Sequence, residues 1–342
     1  MSFVDGSLSL SSAARRGVRT SAALLLASVL VGGTGCNRTS GTSAAKDDLH
    51  MVPKETDVVF MVNVKQARKS PLWDKFIEKF NQDAKAKANY EELVKNCQID
   101  PLKQIDSLFV AVPSNVSDSK EFALILRGGF APEKFVSCLH TVAKEKNEPV
   151  TETDYSGHKI YSIGTQSSYM TAMGKKGVVL AGADWVKRAI DLDAGKGENA
   201  TKNAALGDII KRTRTSDSLW WAGLVPAQMS EKLGSNPQLG PVRSLRSVSG
   251  SVEIAKGLEM HAYLDLGSDG DATQLRDKAI EQLAGLRNLP MLKMMGMVAF
   301  LDTVKVSSQK SSFVVDVNMN QQQVDDLINR LSGLAQQVHE LA

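Results

Sequence analysis

Four closely spaced methionines form the group of side chains in this sequence with the clearest chemical potential: Met291, Met294, Met295 and Met297. Thioether sulfur is a soft ligand that suits Cu(I), and methionine also lines adaptable surfaces for hydrophobic ligands or partners. Methionine equally fills irregular gaps in a core, and residues 298–301 continue the same apolar run. We therefore expect a segment that is buried or lines a groove, with an apolar-ligand or partner surface as the functional alternative.

The five histidines, at positions 50, 140, 158, 261 and 339, show no compact metal-ligand spacing. His158 follows a turn glycine and His261 lies in an alternating strand, so we expect both at exposed strand edges. The sequence has no Gly-x-Ser-x-Gly motif, Walker loop or dinucleotide fingerprint. Adjacent carboxylates such as Asp325 and Asp326 point apart on a helix, which does not suit shared acid–base work. We predict no catalytic residue, no metal and no cofactor.

Two cysteines follow Cys36 in the chain, namely Cys97 and Cys138. A disulfide between them would close a loop of about 42 residues and stabilise the fold by about 4 kcal/mol on the chain-entropy model. Two buried free thiols are the alternative. The absence of a Cys-x-x-Cys motif argues against a redox role.

The N-terminal residues 1–35 have the organisation of an export signal. Three arginines precede an uncharged apolar stretch at residues 21–31, and the small residues 32–35 follow it. The apolar stretch is shorter than the about 20 residues that span a bilayer. Without residues 1–35 the chain has 38 basic and 37 acidic side chains, so its charge gives no indication of nucleic-acid binding.

The junction at Cys36 resembles the lipobox of bacterial lipoproteins, although Gly33 stands where that family usually has Leu. The resemblance implies diacylglycerol on Cys36 and a membrane as partner. Asn37 differs from the Asp that often marks retention at the inner membrane, which implies an outer-membrane lipoprotein facing the periplasm. The alternative is a plain secretory signal cleaved near Gly35.

The chain after the signal is organised as a tether and two related halves. Residues 36–50 are rich in Ser, Thr, Ala and Gly, which predicts a flexible tether. Residues 51–200 and 201–342 repeat an order of strand, helix, two strands, helix and further strands. We predict an α+β fold, in which two halves of mainly antiparallel sheet carry helices packed on one face.

Several segments also resemble an uncharacterised family of bacterial exported proteins, classed only as a domain of unknown function. The resemblance rests on residues 155–161, 177–182 and 186–191, and on residues 57–64, which fit the pattern Asp-x-x-x-x-Val-x-Val. It extends over roughly residues 52–335 and implies no catalytic residue.

Our leading hypothesis is a lipid-anchored cell-envelope protein with a non-enzymatic binding or structural role, in contact with the membrane and with other envelope proteins. The first rival is a periplasmic carrier or chaperone of an apolar ligand. It requires a cavity of more than about 300 Å³ lined by residues 291–301. A hydrolase is the third hypothesis, and it requires Ser, His and Asp to converge from distant segments.

Overall fold

A computed structural model describes residues 43–113, 121–164, 167–235 and 237–340 of the chain. Within these residues, twelve strands form one sheet: β1 (Val58–Val62), β2 (Ile105–Val112), β3 (Ala123–Gly128), β4 (Val150–Tyr155), β5 (His158–Ile163), β6 (Tyr169–Ala172), β7 (Val178–Ala181), β8 (Leu219–Leu224), β9 (Ser247–Glu253), β10 (Gly257–Asp265), β11 (Val304–Gln309) and β12 (Ser312–Asn320). They lie in the order β11-β12-β10-β9-β8-β1-β2-β3-β7-β6-β5-β4. All neighbouring strands are antiparallel.

The same residues form thirteen α-helices: α1 (Ser43–His50), α2 (Val64–Ala67), α3 (Pro71–Gln82), α4 (Ala84–Cys97), α5 (Pro101–Gln104), α6 (Pro132–Glu145), α7 (Ala183–Asp193), α8 (Ala204–Arg212), α9 (Ala227–Gly234), α10 (Asp269–Asn288), α11 (Pro290–Met294), α12 (Val298–Leu301) and α13 (Gln321–Glu340). Helices therefore pack against an antiparallel sheet. The predicted α+β fold class is confirmed.

The strand connections recur in the two parts of the chain. Strands β1, β2 and β3 are sequential neighbours, and after α6 the chain returns with β7 beside β3. In the same way β8, β9 and β10 are sequential neighbours, and after α10 the chain returns with β12 beside β10. The two sets join edge to edge through β1 and β8 in one continuous sheet. The division into domains at residue 200 stays a prediction.

The helices cover both faces of the sheet rather than one. In β3, Ala123 and Ile125 belong to a core formed with α7 and α8, whereas Leu124 and Leu126 pack with α6. Because side chains alternate along a strand, these two cores lie on opposite faces. Trp220 and Trp221 show the same alternation, but both rings pack into cores, the second against the core of α10.

The register defines two ends of the sheet. One row of paired residues crosses five strands from β1 to β12: Val62, Leu219, Val252, Met260 and Val317. We call this the proximal end, and the opposite end, where β1 begins and β8 finishes, the distal end. Helices α2–α5 connect β1 to β2 at the proximal end.

Helix α10 runs from the distal to the proximal end. Its first turn is fixed near the start of β9, where the Ser244 hydroxyl donates to Asp271 Oδ2 over 2.8 Å. Its last turn is fixed near the start of β11, where Arg287 Nε donates to Asp302 Oδ1 over 2.9 Å. The short helices α11 and α12 therefore lie at the proximal end of the sheet.

Candidate functional site

The methionine segment forms a projecting turn that we call the methionine tip, residues 286–297, made by the end of α10, by α11 and by the turn that follows. Met294 is 82% exposed and Met291 is 60% exposed, so the expectation that this segment is buried is wrong for these two side chains. Met295 and Met297 are partly buried at the base of the tip. The structure therefore places two of the four predicted site residues fully at the surface.

Local backbone rules explain why the chain forms this turn. Pro290 stands at the first position of α11, where its missing N–H costs nothing, and it ends α10. Gly296 follows α11 with a φ of 66°, a conformation that favours glycine. A side chain there would also collide with the guanidinium of Arg330, which donates from Nη1 to the Met295 carbonyl over 2.7 Å. The tip is thus held on α13.

Other large apolar side chains of the tip share the exposure of its methionines. Leu286 and Leu289 lie on the same turn and are exposed. Phe76 of α3 is also exposed, and α3 belongs to the connection at the proximal end. Exposed apolar groups therefore come from two separate connections at one end of the sheet.

A row of polar side chains with the composition of a hydrolase triad crosses the second part of the sheet. Ser251, His261 and Asp316 are paired across β9, β10 and β12. His261 Nδ1 lies 2.7 Å from Asp316 Oδ1. His261 is only 6% exposed, so its expected position at an exposed strand edge is wrong. We call these three residues the polar row.

The serine of the polar row lacks the geometry of a nucleophile. Ser251 is 1% exposed, and no hydrogen bond from its Oγ to the imidazole of His261 is present among the described residues. A nucleophilic serine must be reachable by substrate and must donate to its base. Sequence reasoning did not single out Ser251 or Asp316, because only the strand register brings them beside His261.

A polar cleft of about 760 Å³ opens at the proximal end, where β9 meets β10 and β12 ends. Asp217 and Glu253 line it. Burial raises the pKa of Asp217 above its ordinary value, although the Ser251 hydroxyl and Arg214 act in the opposite direction. Glu253 Oε1 accepts hydrogen bonds from the Ser218 hydroxyl and the Ala255 N–H over 2.8 and 2.7 Å. The Glu253 carboxylate therefore stabilises the end of β9 and the turn that follows it.

The four methionines at positions 291, 294, 295 and 297 do not line this cleft. Residues 291–301, which would line the cavity of the carrier hypothesis, contribute to none of the four clefts seen at α10, at the start of α6, at the polar cleft and between α4 and α6. The part of the chain that the structure describes also holds no cluster of three His, Cys, Asp or Glu residues that could bind a metal.

Cys97 and Cys138 are joined by a disulfide that links the end of α4 to α6, with a Cα–Cα distance of 4.4 Å. Of the two alternatives left open by the sequence, the structure has the bonded form. Cys36, the predicted signal and residues 36–42 of the predicted tether lie outside the described residues. Residues 43–50 form α1, in which Asp48 and Leu49 are buried, so the expectation of a flexible tether is wrong for this part. None of the described helices is long and apolar enough to cross a membrane.

No protein-family model and no curated protein matches this chain. Among solved structures, crystal form I of TP0453 is similar at 12% identity, with a TM-score of 0.43 over 84% of this chain and 96% of that chain. Crystal form III of TP0453 is similar at 12% identity, with a TM-score of 0.45 over 81% of this chain and 97% of that chain. The exposed and buried side chains of the chain itself are therefore the basis for its proposed function.

Proposed function

We propose that this chain is a lipid-anchored protein of the cell envelope with a non-enzymatic binding role, and that the methionine tip is its contact surface. The anchor is diacylglycerol on Cys36, as the lipobox resemblance implies. The protein faces the periplasm from the outer membrane, as Asn37 implies.

The 82% exposure of Met294 is the observation that carries this proposal. Burying one large apolar side chain stabilises the folded state by about 1.5–3 kcal/mol. The exposed side chains of the tip do not make this contribution. Exposed apolar groups that are contiguous are typical of contact surfaces for partners or membranes.

The polar row supports the non-enzymatic part of the proposal. Catalysis by Ser251 would require a route for substrate and a hydrogen bond to the imidazole of His261. Ser251 is buried, and its hydroxyl has no such bond. The contact between His261 and Asp316 instead ties β10 to β12.

Intact mass of the protein purified from its native membrane tests the anchor, with the Cys36→Ala variant as its control. We expect a mature N-terminus at Cys36 with acyl mass, and loss of both the acyl mass and membrane association in the variant. A product cut elsewhere without acyl mass would contradict the lipid anchor.

A further inference from the structure

We infer that the methionine tip contacts the phospholipid bilayer itself, so that the proximal end of the sheet rests on an anionic membrane surface. Met291 and Met294 would lie at the boundary between headgroups and acyl chains, with Lys293 between them among the headgroup phosphates. The inference rests on the contact surface of the proposed function and names its partner. It does not require the lipid on Cys36.

The shape of the tip fits a membrane interface. Leu289, Met291 and Met294 are exposed on α11 and the turn before it, and they line none of the four clefts seen at α10, at the start of α6, at the polar cleft and between α4 and α6. Interfacial segments bury such side chains only to the depth of the headgroup boundary, and they carry Lys or Arg beside them. An extended protein partner would instead need a broader complementary face.

The charge of the tip complements anionic headgroups. Residues 282–301 contain two basic side chains and no acidic one. Arg287 pairs with Asp302, whereas Lys293 is exposed on α11. Basic groups close to a membrane are attracted by its negative surface potential.

The connection between β1 and β2 adds a second basic, partly apolar surface at the same end. Residues 64–104 carry nine basic and six acidic side chains. Phe76 is exposed on α3, next to Trp73 with a ring-centroid distance of 5.3 Å. Lys75 pairs with Asp325 over 2.7 Å, which joins α3 to α13. Since α13 also holds the methionine tip through Arg330, the two surfaces are structurally linked.

The chain enters the fold at this end as well. Asp48 of α1 pairs with Arg127, the penultimate residue of β3, at the proximal end. Ser43, where the described chain begins, follows Cys36 by seven residues, a span of at most about 25 Å when fully extended. A lipid on Cys36 would therefore keep the start of α1 close to the bilayer.

A fluorescent probe at position 294 tests the contact directly. The Met294→Cys variant is labelled with the environment-sensitive fluorophore NBD, since Cys97 and Cys138 are bonded to each other. The labelled protein is reconstituted in vesicles of equal parts phosphatidylethanolamine and phosphatidylglycerol. The Met229→Cys variant is the matched control, because Met229 is 53% exposed on α9 at the distal end.

We expect the probe at position 294 to shift to the blue, to brighten roughly threefold as it leaves water, and to be quenched by brominated lipids. The probe at position 229 should keep its aqueous spectrum. Lys293→Glu in the Met294→Cys background should weaken the response on these vesicles but not on phosphatidylcholine vesicles.

An aqueous spectrum at position 294, on vesicles that retain the protein, would overturn the inference and leave the lipid anchor standing. If intact mass shows no lipid on Cys36, the anchor fails, and the probe is then read after vesicles are added to unanchored protein in a Cys36→Ala background, so that position 294 carries the only label. A blue shift there would still support the inference, and an unchanged spectrum would overturn it. Equal responses at positions 294 and 229 would also overturn it, because they would report adsorption without orientation.

Discussion

The polar row and the methionine tip reverse the usual placement of their residue types. Ser251, His261 and Asp316 could perform chemistry but are enclosed between the sheet and its covering elements, whereas Met291 and Met294 could fill a core but face solvent. Burial, rather than residue type, therefore determines the role of each of these two groups. The enclosed polar groups stabilise the sheet, and the exposed apolar groups are available for binding.

Trp220→Ala should produce the largest loss of stability, on the enclosed side of the comparison. Trp220 is fully buried, it is paired with Ser251 in register, and its ring lies 6.3 Å from that of Phe109. Removing a buried aromatic side chain costs about 3–5 kcal/mol through lost burial and the cavity that remains. Urea unfolding measures the loss, with the half-buried Trp73→Ala as control. Equal losses for the two variants would show that the sheet centre is less tightly packed than we describe.

Asp48→Asn should change how stability depends on pH. Burial raises the pKa of Asp48 from 3.8 to about 6, although the nearby Arg127 opposes the shift. Because the folded-state pKa is the higher one, the stabilising contribution is complete below about pH 4 and is lost as the pH rises through about 6. The wild type should lose on the order of 3 kcal/mol of unfolding free energy relative to the variant over this range. A difference between the two proteins that stays constant from pH 4 to 7 would contradict the assignment.

Asp316→Asn should cost about 1–3 kcal/mol, because it weakens a buried hydrogen bond to His261. The Nδ1–Oδ1 distance of 2.7 Å, the burial of His261 and the partial burial of Asp316 support this value. Ser251→Ala is the matched control within the row and should cost less, since no hydrogen bond joins the Ser251 hydroxyl to His261. If the wild type hydrolyses an ester and Ser251→Ala abolishes that activity, the polar row is catalytic. This result would contradict the structural role that we give to the row.

Met294→Ser should have the smallest effect on folding. Surface substitutions of this kind change the unfolding free energy by less than about 0.5 kcal/mol, and Met294 is almost fully exposed. Flotation with anionic vesicles should nevertheless decrease relative to Met229→Ser when Cys36 is unmodified. A destabilisation of more than about 1 kcal/mol would show that the methionine packs into the fold and is not held for binding.

The sequence predicted the regular strands and missed the elements with weak patterns. In residues 201–342 the predicted order of strand, helix, two strands, helix and further strands matches β8, α9, β9 with β10, α10, and β11 with β12. Helix α4 escaped prediction because its sequence is rich in Ala and Lys, and tertiary contacts hold it, including the disulfide at Cys97. Strand β4 escaped because its residues are mostly polar and exposed.

The candidate site was predictable in its residues but not in its exposure. The four methionines are visible in the sequence, yet an apolar run reads the same in a core and on a surface. The polar row could not be predicted, because pairing Ser251 with His261 depends on a cross-strand register that one sequence does not reveal.

Photo-crosslinking in growing native cells shows whether position 294 lies against phospholipid. A benzophenone amino acid replaces Met294 in one variant and Met229 in the other, and intact mass follows irradiation. We expect an adduct with the mass of a phospholipid at position 294 and no phospholipid adduct at position 229. An unmodified position 294, or an adduct with the mass of a protein, would contradict the contact between the methionine tip and the membrane.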